Sequence, residues 1–282
     1  MISTKEIKAL VSLLGDEDVE IRQHVEARIM EIGALALPIL EEQVKNEFNP
    51  AHANYLQQLI RQIRLQELIR EFAKWKAGGC DLVTGLWLTA RYEYPNLPIS
   101  ALQNAIQQLY IQAWIYFKPN MHPVDQVREF NHIFFNKLNF HPNLNDFTAV
   151  SNSMFNQVLE TRSGNPISLC IAYMLIARKL GMPIYGVNMP NLFILIYQSE
   201  RYSPFYINAF NHGSIYTQRE IKNYLEQLKL PLNPAFYEPC SNLDIIRRML
   251  RNLIIAFDRI GQNVKAREIK KILVTISPTE PF

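Results

Sequence analysis

The feature that most constrains this chain is where its hydrophobic period changes. Up to about residue 138 apolar residues recur three and four apart. Strand-like runs, short and rich in aromatic and β-branched residues, come only after Leu180, as IYGVNM, LFILIY and PFYINAF. So few strands among so many helices exclude a sheet-dominated fold. The pattern predicts an α+β chain, predominantly α, with a small antiparallel sheet packed on the helix that ends near Leu180. At 282 residues and 48% hydrophobic composition, a core can form without staples. Cys80, Cys170 and Cys240 are odd in number and widely spaced, which fits neither a disulfide framework nor a metal knuckle. The 29 basic residues against 26 acidic ones leave only +3, so a nucleic-acid partner is not expected. LIIAF and the run around IAYMLIA fall short of the roughly 18 residues that span a bilayer. The first residues lack a leader's pattern, so a cytoplasmic protein with no membrane partner is expected.

Local signals divide the chain further. Ser3 and Glu6 have the spacing of a capping box, ahead of Ile7, Leu10, Val11 and Leu14. Gly15 ends that helix, Asp16 and Asp18 open a second through Val25 and Ile29, and Gly33 with Pro38 introduces a third. A long helix follows over 53–76, closed by Gly78-Gly79. Others cover 81–92, 99–117, 124–138, 218–228 and 242–275, the last broken at Gly261. The expected organisation is a helical segment over 1–50, a helical subdomain over 51–150, a core over 151–235 and a helical hairpin over 236–282.

Three stretches resemble known families. GDEDVEIRQHVEARIMEIGALALPILEEQV is similar to one HEAT-type repeat, and NLDIIRRMLRNLIIAFDRIGQNVKAREIKKIL looks like one tetratricopeptide-like hairpin. A single unit of either kind cannot bury its own apolar face and should dock on its neighbour. VLETRSGNPISL, ARKLGMPIYGVN and FYINAFNHG resemble the SirB-type transglutaminase-like proteins, a bacterial branch of the transglutaminase and papain-like superfamily. That likeness runs over about residues 55–275.

The resemblance implies a test of catalysis. In active members of the superfamily a cysteine at a helix N-terminus is the nucleophile, a histidine on the next strand takes its proton, and an aspartate on the following strand holds the imidazole. The matched positions here are Pro166, Leu192 and Asn208, so all three roles are empty. The chain is therefore expected to be a non-catalytic relative acting as a protein-binding scaffold or regulator. The alternative is a cysteine-dependent acyl transferase or amide hydrolase with a relocated Cys170/His212 pair. Arg162, Asn191 and Asn211 are the polar candidates for binding beside the site, and a small ligand in the cleft left between Pro166, Leu192 and Asn208 is a further option. No histidine pairs at ligand spacing with Cys, Asp or Glu, so no metal or cofactor is expected.

Overall fold

The computed structural model describes residues 2–229 and 233–277. The chain divides into two compact units, Met1–Lys74 and Trp75–Phe282.

The first unit is helical: α1 (Thr4–Ser12), α2 (Val19–Ile32), α3 (Leu37–Asn46) and most of α4 (Pro50–Ala77). Ser3 and Glu6 form the expected capping box on α1, and Asp18 caps α2 through the amides of Glu20 and Ile21. Gly33 ends α2 at a φ of 66°, and Pro38 stands in the first turn of α3. The apolar stripes meet in one core that includes Ile7, Val11, Ile29, Leu40, Leu56 and Ile63.

The second unit opens with α5 (Leu82–Arg91), capped by Asp81, then α6 (Ile99–Trp114) and α7 (Pro123–His132). The helix expected over 124–138 does not stay α: Ile133–Lys137 is a π-helical turn. Next come β1 (His141–Pro142), α8 (Phe155–Thr161), β2 (Ser163–Gly164) and α9 (Pro166–Lys179), with His141 and Pro142 paired in parallel to Ser163 and Gly164. The main sheet is antiparallel, in the order β3 (Ile184–Met189), β4 (Leu192–Tyr197), β5 (Phe205–Asn208), β6 (Ser214–Tyr216). α10 (Gln218–Gln227), α11 (Asn242–Arg259) and α12 (Asn263–Ile276) complete the described chain. The fold is α+β and predominantly α, as the change of period implies. β6 and the short β1–β2 pair were not foreseen, since two or three residues carry no measurable period.

α9 is the centre of this unit, with all but a few of its residues buried. Residues of β4 alternate between faces. Leu192, Ile194 and Ile196 join Val187, Met189, Ile221 and Leu225 in a cluster under α10. Phe193, Leu195 and Tyr197 fall on the other face, toward α9, which packs on β3 and β4. On its far side α9 meets α7 through aromatic rings: Tyr173 lies 4.5 Å from Phe130 and 5.0 Å from Phe134, and Phe134 stacks at 4.3 Å on Phe140.

α11 and α12 pack on one another, and α11 also packs on α5 and β3. The basic run at 247–251 is largely internal. Arg247 pairs with Asp244 at 3.2 Å, and Arg248 donates to Asn188 Oδ1 at 2.7 Å and to the Met189 carbonyl at 2.6 Å. Arg248 thereby pins the turn between β3 and β4.

Candidate functional site

The start of α9 is built as a cap. Asn165 Oδ1 accepts from the Ser168 amide at 3.1 Å and from its hydroxyl at 3.0 Å, which satisfies donors that a helix start leaves exposed. A Cβ at Gly164 would come within 2.4 Å of Ser168 Oγ, so this position needs glycine to let the cap close. Pro166 is the first helical residue, half-buried, with no N–H to offer an incoming charge.

The other two matched positions are also committed to structure. Leu192 follows the Pro190-Asn191 turn, where Asn191 is exposed and left-handed at a φ of 59°. Its side chain packs in the cluster under α10, on the opposite sheet face from Phe193. Asn208 Oδ1 accepts from the amides of Phe210 at 3.1 Å and Asn211 at 3.2 Å, which caps the short helical turn after β5.

Cys170 lies one turn into α9 with no solvent exposure. Its thiol donates to the Phe193 carbonyl at 3.5 Å. Burial pushes it up to about 12, offset in part by the Ala209 amide beside the sulfur. His212 is exposed and left-handed at a φ of 48°, and its ring lies 5.3 Å from that of Phe135. Arg162, also left-handed, closes α8 by donating to the Leu159 carbonyl and places its guanidinium 5.4 Å from the Phe140 ring centre. Burial lowers its pKa from the usual arginine value. Asn211 is exposed and donates to the Tyr216 hydroxyl at 3.4 Å. The structure thus seats Cys170 against the backbone of β4 and of the short helical turn after β5, and seats His212 beside the π-helical segment.

That segment borders an open groove of about 590 Å³. His132, Phe135, Asn136 and Asn139 line it from the π-helical segment and its flanks, and His141 and His212 complete the lining. Sequence reasoning took these histidines as dispersed along the chain. A readable signal was present in Asn131-His132, Phe135-Asn136 and Asn139-Phe140, polar and aromatic pairs four residues apart. A π-helical turn holds more residues than an α turn, which keeps such positions on one side. Among the described residues no group of three His, Cys, Asp or Glu could hold a metal ion, and no helix is long and apolar enough to cross a membrane.

Comparison with known proteins agrees with this architecture. The transglutaminase-like superfamily model matches residues 100–251, just over half of the chain. A UPF0162 protein of Xylella fastidiosa is 26% identical over 210 residues, covering 71% of this chain and 73% of that one. A UPF0162 protein of Vibrio cholerae is 29% identical over 156 residues, covering 54% of this chain and 57% of that one. F-box only protein 21 of Homo sapiens is 30% identical over 138 residues, covering 46% of this chain and 22% of that protein. No solved structure matches significantly. With the family match spanning both the π-helical segment and the capped start of α9, the chain belongs to the transglutaminase-like superfamily.

Proposed function

We propose that this chain is a non-catalytic transglutaminase-like protein that works as a protein-binding scaffold. The observation that carries the reading is the state of Cys170, the thiol one turn into α9: it is fully buried, bonded to the Phe193 carbonyl and held at about 12, where a nucleophile needs an ionised and accessible sulfur. The relocated Cys170/His212 enzyme is disfavoured on the same ground, because the ring of His212 packs against Phe135 instead. A segment related to this chain makes up about a fifth of a much larger protein, F-box only protein 21, which fits use as a module among others.

On this reading the HEAT-like segment at 1–50 and the tetratricopeptide-like hairpin at 236–282 flank a helical subdomain at 51–150 and a core at 151–235, in a cytoplasmic protein. Exposed apolar side chains such as Leu35, Phe48 and Trp114 supply docking surface. The test is quantitative capture from native lysate with the full chain. Cys170→Ala should retain the same stoichiometric partner, while Leu35→Glu, Phe48→Asp or Trp114→Glu should weaken capture. Capture that survives all three surface substitutions, or that disappears with Cys170→Ala in a folded protein, would overturn the scaffold reading.

A further inference from the structure

We infer that the groove beside the π-helical turn is a binding site for a small organic oxyanion carrying a flat ring. Its polar lining is made of imidazoles and side-chain amides, from His132, Asn136, Asn139, His141 and His212, with no carboxylate among the lining residues. Each imidazole and amide carries N–H donors beside an acceptor, and with no carboxylate among them to repel it an acceptor-rich anion can take those donors. The guanidinium of Arg162, packed on the Phe140 ring that forms part of the wall, adds positive charge behind it. A bare cation is the wrong guest. The three imidazoles share the groove without forming a group that could hold a metal ion.

The site is organised before anything binds. Asn131 has both ends of its amide engaged: Nδ2 donates to the Gly213 carbonyl at 2.9 Å, and Oδ1 accepts from the Tyr173 hydroxyl at 2.8 Å. That pair of bonds ties α7 to the turn after β5 and so fixes His212, the residue before Gly213, beside Phe135. His141 is held by a 3.1 Å contact between Nδ1 and the Asn139 carbonyl, which fixes the orientation of its ring at the groove. Phe135 is half-buried, and with the His212 ring it makes an aromatic corner on which a flat ring can stack. A volume of about 590 Å³ suits a small molecule of this kind. The assignment is independent of the scaffold reading, since a regulator and an enzyme could each hold such a ligand.

Phenyl phosphate is the probe, titrated into the full-length protein while the Hε1 resonances of all six histidines are followed by NMR. The signals of His132, His141 and His212 should move along one saturating curve, while those of His24, His52 and His122 stay in place. The exposed pair His132→Ala with His212→Asn should weaken binding at least tenfold. Asn136→Ala, also at an exposed position, should weaken it several-fold and serves if the pair disturbs the fold. Benzyl alcohol should not bind, and inorganic phosphate should bind more weakly than phenyl phosphate. No movement of the three signals, equal movement of all six, or equal binding of either control compound would overturn the assignment.

Discussion

Moving a thiol by four residues along α9 should change its reactivity by orders of magnitude. Cys170 is held at about 12 by burial, so at about pH 7.5 only ~3 in 100,000 of these thiols are ionised. A cysteine placed by Pro166→Cys would stand half-buried at the first residue of the same helix. The helix dipole there is worth about 0.3–1 kcal/mol to an anion, which takes an ordinary thiol from about 8.5 to about 8 and leaves roughly a quarter ionised. Ionisation alone then favours position 166 by about 10,000-fold. Lower basicity makes the thiolate a weaker nucleophile, and a Brønsted slope of about 0.4–0.5 across four units returns roughly 60-fold of that advantage. The surviving contrast is about 100-fold, and exclusion of reagent from the buried sulfur widens it. Alkylation of the Pro166→Cys protein by iodoacetamide, quantified site by site through peptide mapping, measures both thiols in one sample along with Cys80 and Cys240. The rate at position 166 should level off above about pH 8, while any labelling of Cys170 in the folded protein should keep rising about tenfold per pH unit. Native labelling of Cys170 within tenfold of position 166, or a plateau for Cys170 near neutral pH, would refute the argument.

Gly213→Ala should cost about 3–5 kcal/mol. The residue sits at a φ of 72°, a Cβ there would lie 2.0 Å from Asn131 Oδ1, and displacing Asn131 strands the buried Tyr173 hydroxyl. In an Asn131→Ala background the same change should cost only the left-handed strain, about 1–2 kcal/mol, and equal costs in the two backgrounds by urea denaturation would refute the coupling. Arg248→Met should destabilise by about 2–3 kcal/mol through the loss of charged hydrogen bonds to Asn188 and Met189, and Arg248→Lys should recover less than half of that if the guanidinium geometry matters. The Glu220 carboxyl is held below the usual carboxylate range by the Thr217 amide and then by its hydroxyl, both at 2.7 Å. A lowered folded value means that its support of α10 is in place above the unfolded carboxylate pKa and fades as pH falls through the folded one. Carboxyl NMR should show a depressed midpoint that Thr217→Ala moves part of the way up, the backbone amide being retained, and an unmoved midpoint would rule out the hydroxyl's share.

The parts of this fold that were legible in sequence are those where one local signal decides. Ser3 with Glu6, Asp18, Gly33 and Asp81 each satisfy or end a helix by themselves, and the structure places them as the spacing implies. The three runs from Ile184 to Phe210 read as strands because short aromatic and β-branched runs bounded by turn residues need no knowledge of the partner strand. What was not legible depends on contacts distant in sequence. The π-helical turn at 133–137 is an α pattern by period. Its widening goes with a wall whose other residues, His141 and His212, come from the ends of two separate elements. Asn131 reaches Gly213 across 82 positions, and no local rule connects an asparagine in a helix with a turn glycine so far away.

The start of α9 shows why a family likeness and a site must be argued separately. Gly164, Asn165 and Ser168 are the kind of residues that announce an exposed helix N-terminus, and a thiol there would gain from the unpaired amides. Here the Ser168 amide is taken by Asn165 Oδ1, which also accepts from the Ser168 hydroxyl, and Pro166 contributes no N–H at all. Helix capping and thiolate activation draw on one small set of donors, so the cap that stabilises this helix uses part of what a nucleophile would draw on and leaves the helix dipole. Leu192 and Asn208 complete the exchange, one filling the cluster under α10 and the other capping the turn after β5. Each of the three positions holds a packing or capping role. On the proposed non-catalytic reading, a cysteine placed at 166 should therefore be a reactive thiol without a base to serve it, and catalysis there would require redirecting two side chains that hold the sheet and its turns together.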